Sequence, residues 1–173
     1  MSTRIVLYQG LAKGDKMGMI IQKSVELGVY AIVPVITERT VVRVENHQDA
    51  GKKANRWQKI AEEAAKQCNR GIVPRVYPPA LIKHALDEMA GFQLAVIPYE
   101  NEKANGLKQY ISGKKYDSIA VMIGPEGGFT ENEVALAKEK GVVPVTLGPR
   151  ILRTETAGIA VLSILAYEAG GMD

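Results

Sequence analysis

The chain has few of the residues that form metal sites, disulfides or membrane spans. Its 173 residues include a single cysteine, Cys68, and two histidines, His47 and His84, far apart in the sequence. One cysteine excludes an intrachain disulfide and is typical of a reducing, cytoplasmic setting. The isolated histidines predict no metal site, and no apolar run reaches the ~18 residues of a membrane-spanning helix. We therefore expect a cytoplasmic protein with no metal and no membrane partner.

The familiar phosphate-binding loops are also missing. The segment GLAKGDKM, which starts at Gly10, has no Gly-Lys-Ser/Thr ending, and GPEGG, which starts at Gly124, does not fit the G-x-G-x-x-G pattern. A nucleotide- or dinucleotide-dependent enzyme of the Rossmann type is therefore the weakest alternative. The composition is that of an ordinary globular protein, and the net charge of +3 permits a nucleic-acid partner without requiring one.

Apolar segments of strand length alternate with amphipathic segments of helical period. Strand-like runs begin at Thr3, Tyr30, Phe92, Ser118 and Val142, and helical patterns cover 16–28, 52–71, 80–91, 130–141 and Thr154 to about Gly170. Thr130 and Glu133 have the spacing of a capping box. The region 37–51 is the least regular and is expected to hold a short edge strand and a charged loop. The alternation predicts an α/β fold with a mostly parallel sheet flanked by helices.

Three loops rich in glycine and proline follow three of the predicted strands. They are PYEN from Pro98, GPEGG from Gly124 and GPRILR from Gly148. Ligands of open α/β sheets bind beyond the carboxyl ends of the strands, and glycine lets the backbone approach a ligand closely. A tight turn explains any one of these loops, but three at one edge predict a binding site. Because Glu126 would repel a phosphate, a cationic or hydroxyl-rich ligand fits better.

The segment RTETA, Arg153–Ala157, places unusual polarity before an almost wholly apolar helix. Thr154 fits an N-cap and Glu155 suits the positive end of the helix dipole. Cations are unfavourable there, so Arg150 and Arg153 require an anionic partner: Glu126, Glu155 or a ligand. The helix that follows is apolar almost all round, which predicts burial on most sides and, in a chain this small, a subunit interface.

The motifs GPEGGF and LGPRILRTETA resemble those of SPOUT-class RNA methyltransferases, and within that class the RsmE family. The segments LAKGDKM, IIQKSVELGV and RWQKIAEEAAKQ resemble the same family in the same order, so that the resemblance runs from about Leu11 to Tyr167. It implies an α/β domain whose C-terminal part forms a deep trefoil knot. It also implies a homodimer that binds S-adenosylmethionine and methylates N3 of a uridine in small-subunit (16S) ribosomal RNA.

The family usually carries an additional N-terminal PUA-like RNA-binding domain. The resemblance here begins almost at once, so we expect residues 1–173 to form a single SPOUT-like methyltransferase domain.

The resemblance and the three loops together nominate site residues. Arg153, Arg150 and Glu155 are the catalytic candidates, because an arginine can stabilise the charge that spreads over the uracil oxygens as the N3 proton leaves. The cofactor candidates are Tyr99, Ile123, Gly124, Pro125, Glu126, Gly127, Leu147, Gly148, Ile151, Leu152 and Thr154. The RNA candidates are Lys13, Lys16, Lys23, Arg39, Arg56 and Arg70, although a solvated helix face explains any one of them equally well. A non-catalytic RNA-binding module of the same fold is the alternative function.

Overall fold

The computed structural model describes residues 3–171, which build one seven-stranded parallel sheet between two layers of helices. The strands are β1 (Arg4–Gly10), β2 (Ala31–Ile36), β3 (Arg75–Val76), β4 (Ala80–Leu81), β5 (Leu94–Pro98), β6 (Ser118–Ile123) and β7 (Val143–Val145). The helices in this range are α1 (Lys16–Glu26), α2 (His47–Gln67), α3 (Ile82–Met89), α4 (Leu107–Ile111), α5 (Glu131–Glu139) and α6 (Thr154–Glu168).

The sheet order is β3-β2-β1-β6-β5-β7, and β4 also pairs with β2. All of these pairings are parallel. β1 lies at the centre, and every residue from Ile5 to Gly10 is buried, since helices cover both faces of the sheet. Parallel pairing brings the carboxyl ends of β5, β6 and β7 to one edge, where the three predicted loops emerge.

The helices divide between the two faces of the sheet. α1, α2 and α6 pack with side chains such as Leu7 and Val121 in one apolar cluster. α3 and α5 cover the opposite face, where Tyr8 and Met122 point into a second cluster. The alternation of neighbouring residues between the two clusters follows from the two-residue repeat of a strand. The predicted fold class, a mostly parallel α/β sheet flanked by helices, is confirmed.

The region 37–51 differs from the prediction. It contains no edge strand, and α2 begins at His47, five residues before the predicted start of its amphipathic pattern. Asn46 caps this earlier start by accepting a hydrogen bond from the backbone N–H of Asp49 at 2.9 Å. The predicted capping box at α5 is present, with Thr130 and Glu133 each accepting from the other's backbone N–H. The short elements β3, β4 and α4 had no clear periodic signal.

α6 owes most of its apolar character to the core of its own chain. Val161, Leu162 and Leu165 are all buried against the sheet and α1. Of its large apolar residues, Ile164 and Tyr167 remain exposed. The buried residues of α6 follow one face of the helix, so the prediction that it is buried on most sides is confirmed only for that face. Across residues 3–171, no helix is both long enough and apolar enough to cross a membrane.

Candidate active site

A cleft of about 460 Å³ lies beyond the carboxyl ends of β5, β6 and β7. Its walls are the segments 98–100, 123–129 and 146–155. All eleven predicted cofactor residues line it, together with Arg150, Arg153 and Glu155. Its volume falls within the range of small-molecule sites, roughly 300–1,000 Å³. The structure thus brings the three loops together at one cleft, as the sequence predicts.

The loop after β6 is a tight turn pressed against the end of β1. Gly128 has a φ of +68°, and its N–H donates to the carbonyl oxygen of Pro125 at 2.9 Å. A Cβ atom on Gly10 would lie 2.5 Å from the nitrogen of Pro125. Backbone therefore meets backbone at this point, and no side chain fits between β1 and the loop.

Thr154 connects this loop to α6. Its hydroxyl donates to the carbonyl oxygen of Gly124 at 2.6 Å and accepts from Nε2 of Gln9 at 2.8 Å. The expectation that Thr154 is the N-cap of the last helix is wrong, because it is the first helical residue and Arg153 occupies the cap position. With its hydroxyl used in this way, Thr154 shapes the cleft through the Gly124 loop.

The loop after β7 is held by a segment that the sequence did not nominate. The backbone N–H of Thr146 donates to the carbonyl oxygen of Asn105 at 2.8 Å, and the N–H of Leu107 donates back to Thr146 at 3.3 Å. Gly148 follows with a φ of +107°, a conformation that favours glycine. The residues before α4 therefore brace the wall that carries Leu147 and Gly148.

Glu126 is engaged with the start of α1. Its carboxylate accepts from the backbone N–H of Lys13 at 2.8 Å and from Nζ of Lys16 at 3.3 Å. Partial burial opposes ionisation, but the hydrogen bonds from the backbone and from Lys16 outweigh it and lower the pKa of this carboxyl. Glu126 is thus a brace between two loops, and the idea that it pairs with Arg150 or Arg153 is wrong.

Arg150 and Arg153, at the loop before α6, are available to a ligand. Arg150 and Arg153 are exposed and make no ion pair or side-chain hydrogen bond within residues 3–171. Glu155 lines the same cleft, and its Oε2 is buried without a hydrogen-bond partner in that part of the chain. Two cations and an unsatisfied acceptor are therefore available to a bound molecule.

The six RNA candidates have different surroundings. Arg70 donates to the carbonyl oxygens of Val25 at 3.0 Å and Val29 at 2.9 Å, so it is better explained as a structural tie between α1 and α2. Lys23 pairs with Glu26 at 3.0 Å. The remaining candidates are Lys13, Lys16, Arg39 and Arg56, all at least partly exposed or close to the cleft loops.

Arg39 contacts the cleft loop directly. Its Nη1 donates to the carbonyl oxygen of Gly127 at 2.9 Å, and a Cβ atom on Gly127 would lie 3.0 Å from the Cβ of Arg39. Sequence reasoning missed this contact and also missed Gln9, Asn105 and Thr146. Gln9 did carry a signal, since it is a polar residue inside an otherwise apolar strand.

Comparison with known proteins finds RNA methyltransferases as relatives of this chain. A family model described as an RNA methyltransferase domain matches residues 1–166. The ribosomal RNA small subunit methyltransferase E of Bacillus subtilis is 41% identical over 95% of this chain and 66% of its own length. The crystal structure of that enzyme from Neisseria gonorrhoeae, bound to S-adenosyl methionine, is 43% identical with a TM-score of 0.85. It covers 95% of this chain and 66% of that one.

A structure from Legionella pneumophila, solved with the bound cofactor SAM, has a TM-score of 0.87 at 37% identity. The match covers 96% of this chain and 66% of that chain. The chain therefore spans about two thirds of the length of the relatives compared here.

The contact of Gly10 with Pro125 predicts a specific sensitivity. We expect Gly10→Ala to lower the free energy of unfolding by about 1–3 kcal/mol, because the new methyl group overpacks a backbone contact. Gly71→Ala is the matched control, since a Cβ atom there meets nothing within 4 Å and the residue lies outside the helices, where alanine adds no helix propensity. Denaturant unfolding of both variants measures the difference. Equal stability would show that the β1–loop contact is loose.

Proposed function

Because the chain belongs to the RNA methyltransferase domain family, and within it to the small subunit methyltransferase E relatives, we propose that it transfers a methyl group from S-adenosylmethionine to N3 of a uridine in small-subunit ribosomal RNA. The observation that carries the proposal is the cleft where three loops meet beside two arginines that have no ion-pair partner within residues 3–171. Such a substrate also agrees with the cytoplasmic setting expected from the sequence.

The residues of the cleft fit this cofactor. Backbone around Gly124, Leu147 and Gly148 offers amide and carbonyl groups to the adenine and ribose. The unsatisfied Oε2 of Glu155 is an acceptor for an amino or hydroxyl group. The carboxylates of Glu126 and Glu155 line the cleft and would repel a phosphate, so the site suits a molecule that carries none.

When bound, S-adenosylmethionine supplies the electrophilic methyl group. The chain must then orient the uracil and stabilise the negative charge that develops as N3 loses its proton. Arg153 is the candidate for this role, and its exposure at the cleft without an ion-pair partner in the described chain supports the assignment. Arg150 is assigned to a neighbouring phosphate or to steadying the loop.

The family's trefoil knot is part of the proposal. β7 lies at one edge of the sheet beyond β5, whereas α6 packs beside α1 and β1. The segment 146–153 must therefore pass across the ends of β5 and β6. At its far end, Thr154 lies between Gln9 and the Gly124 loop. This path supports the threading of α6 behind an earlier loop, within a single methyltransferase domain.

A homodimer is the second structural part of the proposal. Ile151 at the cleft rim is 81% exposed, and Ile164 and Tyr167 are exposed on the outer side of α6. These exposed apolar side chains suit contact with a partner copy, and at Ile151 such a copy would lie at the site itself. A stable interface of this kind buries at least about 1,000 Å² in total.

The alternative is a non-catalytic RNA-binding module. It requires a basic surface, and the exposed RNA candidates supply one. It gives no reason for the cleft or for the unsatisfied Oε2 of Glu155. Calorimetric titration with S-adenosylmethionine distinguishes the two functions, because only the enzyme requires the cofactor.

A methylation assay tests the proposed function. Small ribosomal subunits that lack the modification are incubated with the protein and S-adenosylmethionine labelled in its methyl group, and the labelled nucleotide is then mapped. We expect one methylated uridine, with the label at N3. Label at another base or atom would contradict the proposed specificity, and absence of label on both naked RNA and subunits would contradict catalysis by this chain.

The charge-stabilising role of Arg153 predicts a defect in chemistry. We expect Arg153→Ala to lower the single-turnover rate by roughly 10²–10³, the usual loss for one oxyanion donor, with little change in cofactor affinity. The control is Arg75→Ala, an exposed arginine at the far edge of the sheet. A normal rate combined with a large fall in melting temperature would assign Arg153 a purely structural role.

The exposed face of α6 allows dimerisation to be weakened without disturbing the fold of the monomer. We expect Ile164→Asp to shift sedimentation equilibrium toward monomer, because it places an unpaired charge in the interface. Leu165→Asp is unsuitable for this test, since Leu165 is buried in the monomer core. Ile72→Asp, at a residue 74% exposed before β3, is the matched control. A wild-type chain that is monomeric at micromolar concentration would refute the dimer.

A further inference from the structure

We propose that Gln9 is a positioning residue for the cofactor cleft, acting through the hydroxyl of Thr154 on the loop that starts at Gly124. The inference rests on the proposed function, because the cleft it concerns is the one assigned to S-adenosylmethionine. Gln9 does not line the cleft, and its effect reaches the cofactor through the geometry of the loop.

Gln9 is the single fully buried polar residue of β1 and lies one residue before the strand ends. Its Nε2 donates to the carbonyl oxygen of Gly10 at 2.9 Å and to Oγ1 of Thr154 at 2.8 Å. The Thr154 hydroxyl donates in turn to the carbonyl oxygen of Gly124 at 2.6 Å. One amide group is thus linked to both the end of β1 and the beginning of the cleft loop.

The direction of these hydrogen bonds is fixed by chemistry. The carbonyl oxygens of Gly10 and Gly124 can only accept, and the hydroxyl of Thr154 has a single proton to give. If that proton goes to Gly124, the hydroxyl must accept from Gln9. Gln9 must then present its NH₂ group to both Gly10 and Thr154. A single arrangement satisfies all three contacts, so the network specifies one position of the Gly124 carbonyl.

The same network relates the two walls of the cleft. Thr154 is the first residue of α6 and stands between Arg153 and Glu155, whereas Gly124 begins the opposite wall. A shift of the Gln9 amide would therefore change the separation of the cofactor loop from both the arginine and the carboxylate. Binding sites of this kind depend on groups held within fractions of an ångström by residues behind them.

The arrangement also leaves an unsatisfied atom. Oε1 of Gln9 is buried with no hydrogen-bond partner in the described chain and lies against Gly158 in α6. A buried acceptor without a partner costs free energy, which an apolar side chain of the same length would avoid. Packing alone therefore does not account for glutamine at this position, whereas ordering of the two carbonyl groups does.

Two variants break the hydrogen-bond network while changing the volume of the side chain little. Gln9→Met keeps the length of the side chain but donates no hydrogen bond, and Thr154→Val keeps the shape but lacks the hydroxyl. Thr154→Ser retains the hydroxyl and serves as the conservative rescue. Gln58→Met is the matched control, because the Gln58 amide also makes two hydrogen bonds, in this case with the backbone of Pro74 and Val76, at a site away from the cleft.

The first measurement is amide hydrogen exchange of the free protein, which needs no ligand. We expect Gln9→Met and Thr154→Val to speed exchange of the amides of 126–129 by about tenfold, an effect of about 1.4 kcal/mol on local opening. Thr154→Ser should exchange like the wild type. Gln58→Met should alter exchange around β3 and leave 126–129 unchanged.

The second measurement is the dissociation constant for S-adenosylmethionine by calorimetry. We expect about a tenfold weakening in Gln9→Met and in Thr154→Val, and no further loss in the double variant, because both changes break one network. Thr154→Ser and Gln58→Met should bind like the wild type.

The outcomes distinguish the positioning role of Gln9 from the proposed methyltransferase function on which it rests. If Gln9→Met lowers the melting temperature but leaves loop exchange and cofactor affinity as in Gln58→Met, Gln9 is merely structural and the inference is wrong. If the two single losses of cofactor affinity multiply in the double variant, the two residues act independently, and Gln9 does not act through Thr154. If the wild type binds no S-adenosylmethionine, the proposed function fails, and loop exchange alone then decides whether Gln9 positions the loop.

Discussion

The hydroxyl of Thr154 is the contact on which the cleft depends. It joins the end of the central strand, the loop after β6 and the first turn of α6, which are far apart in the sequence. Each segment alone is a common element of an α/β fold. Held together by one hydroxyl that both accepts and donates, they become the two walls of a cleft. At the same junction, the backbone of Gly10 packs directly against Pro125.

The electrostatics of the cleft depend on which groups its carboxylates already contact. Glu126 is committed to the start of α1, through the backbone of Lys13 and the ammonium of Lys16. Its ionised form is favoured there, so it stays available as a brace across the neutral pH range. Arg150 and Arg153 are consequently left without a carboxylate partner in residues 3–171. Cations placed at the start of a helix without a partner are unfavourable, unless a ligand or substrate supplies the negative charge.

The sequence predicted those features that depend on local pattern. Alternating apolar runs indicated the parallel sheet, and glycine and proline after three strands indicated where the loops converge. It failed where a long-range contact overrides local preference. Thr154 has the chemistry of an N-cap, yet its hydroxyl is hydrogen-bonded to Gly124 and Gln9. Helix α2 starts earlier than its amphipathic pattern because Asn46 caps it. The last helix is apolar almost all round in the sequence, and only packing separates core residues such as Leu165 from exposed ones such as Ile164.

A crystal structure of this chain with S-adenosylmethionine tests the central claim most directly, namely that the loops after β5, β6 and β7 form a cofactor cleft whose two walls are joined by Thr154. The account predicts cofactor density between segments 123–129 and 146–155, in contact with the backbone beside Gly148 and within reach of the Oε2 of Glu155. The methyl group should face the side of the cleft that carries Arg153. Density at any other surface, or an empty cleft in a crystal grown at saturating cofactor, would contradict the account.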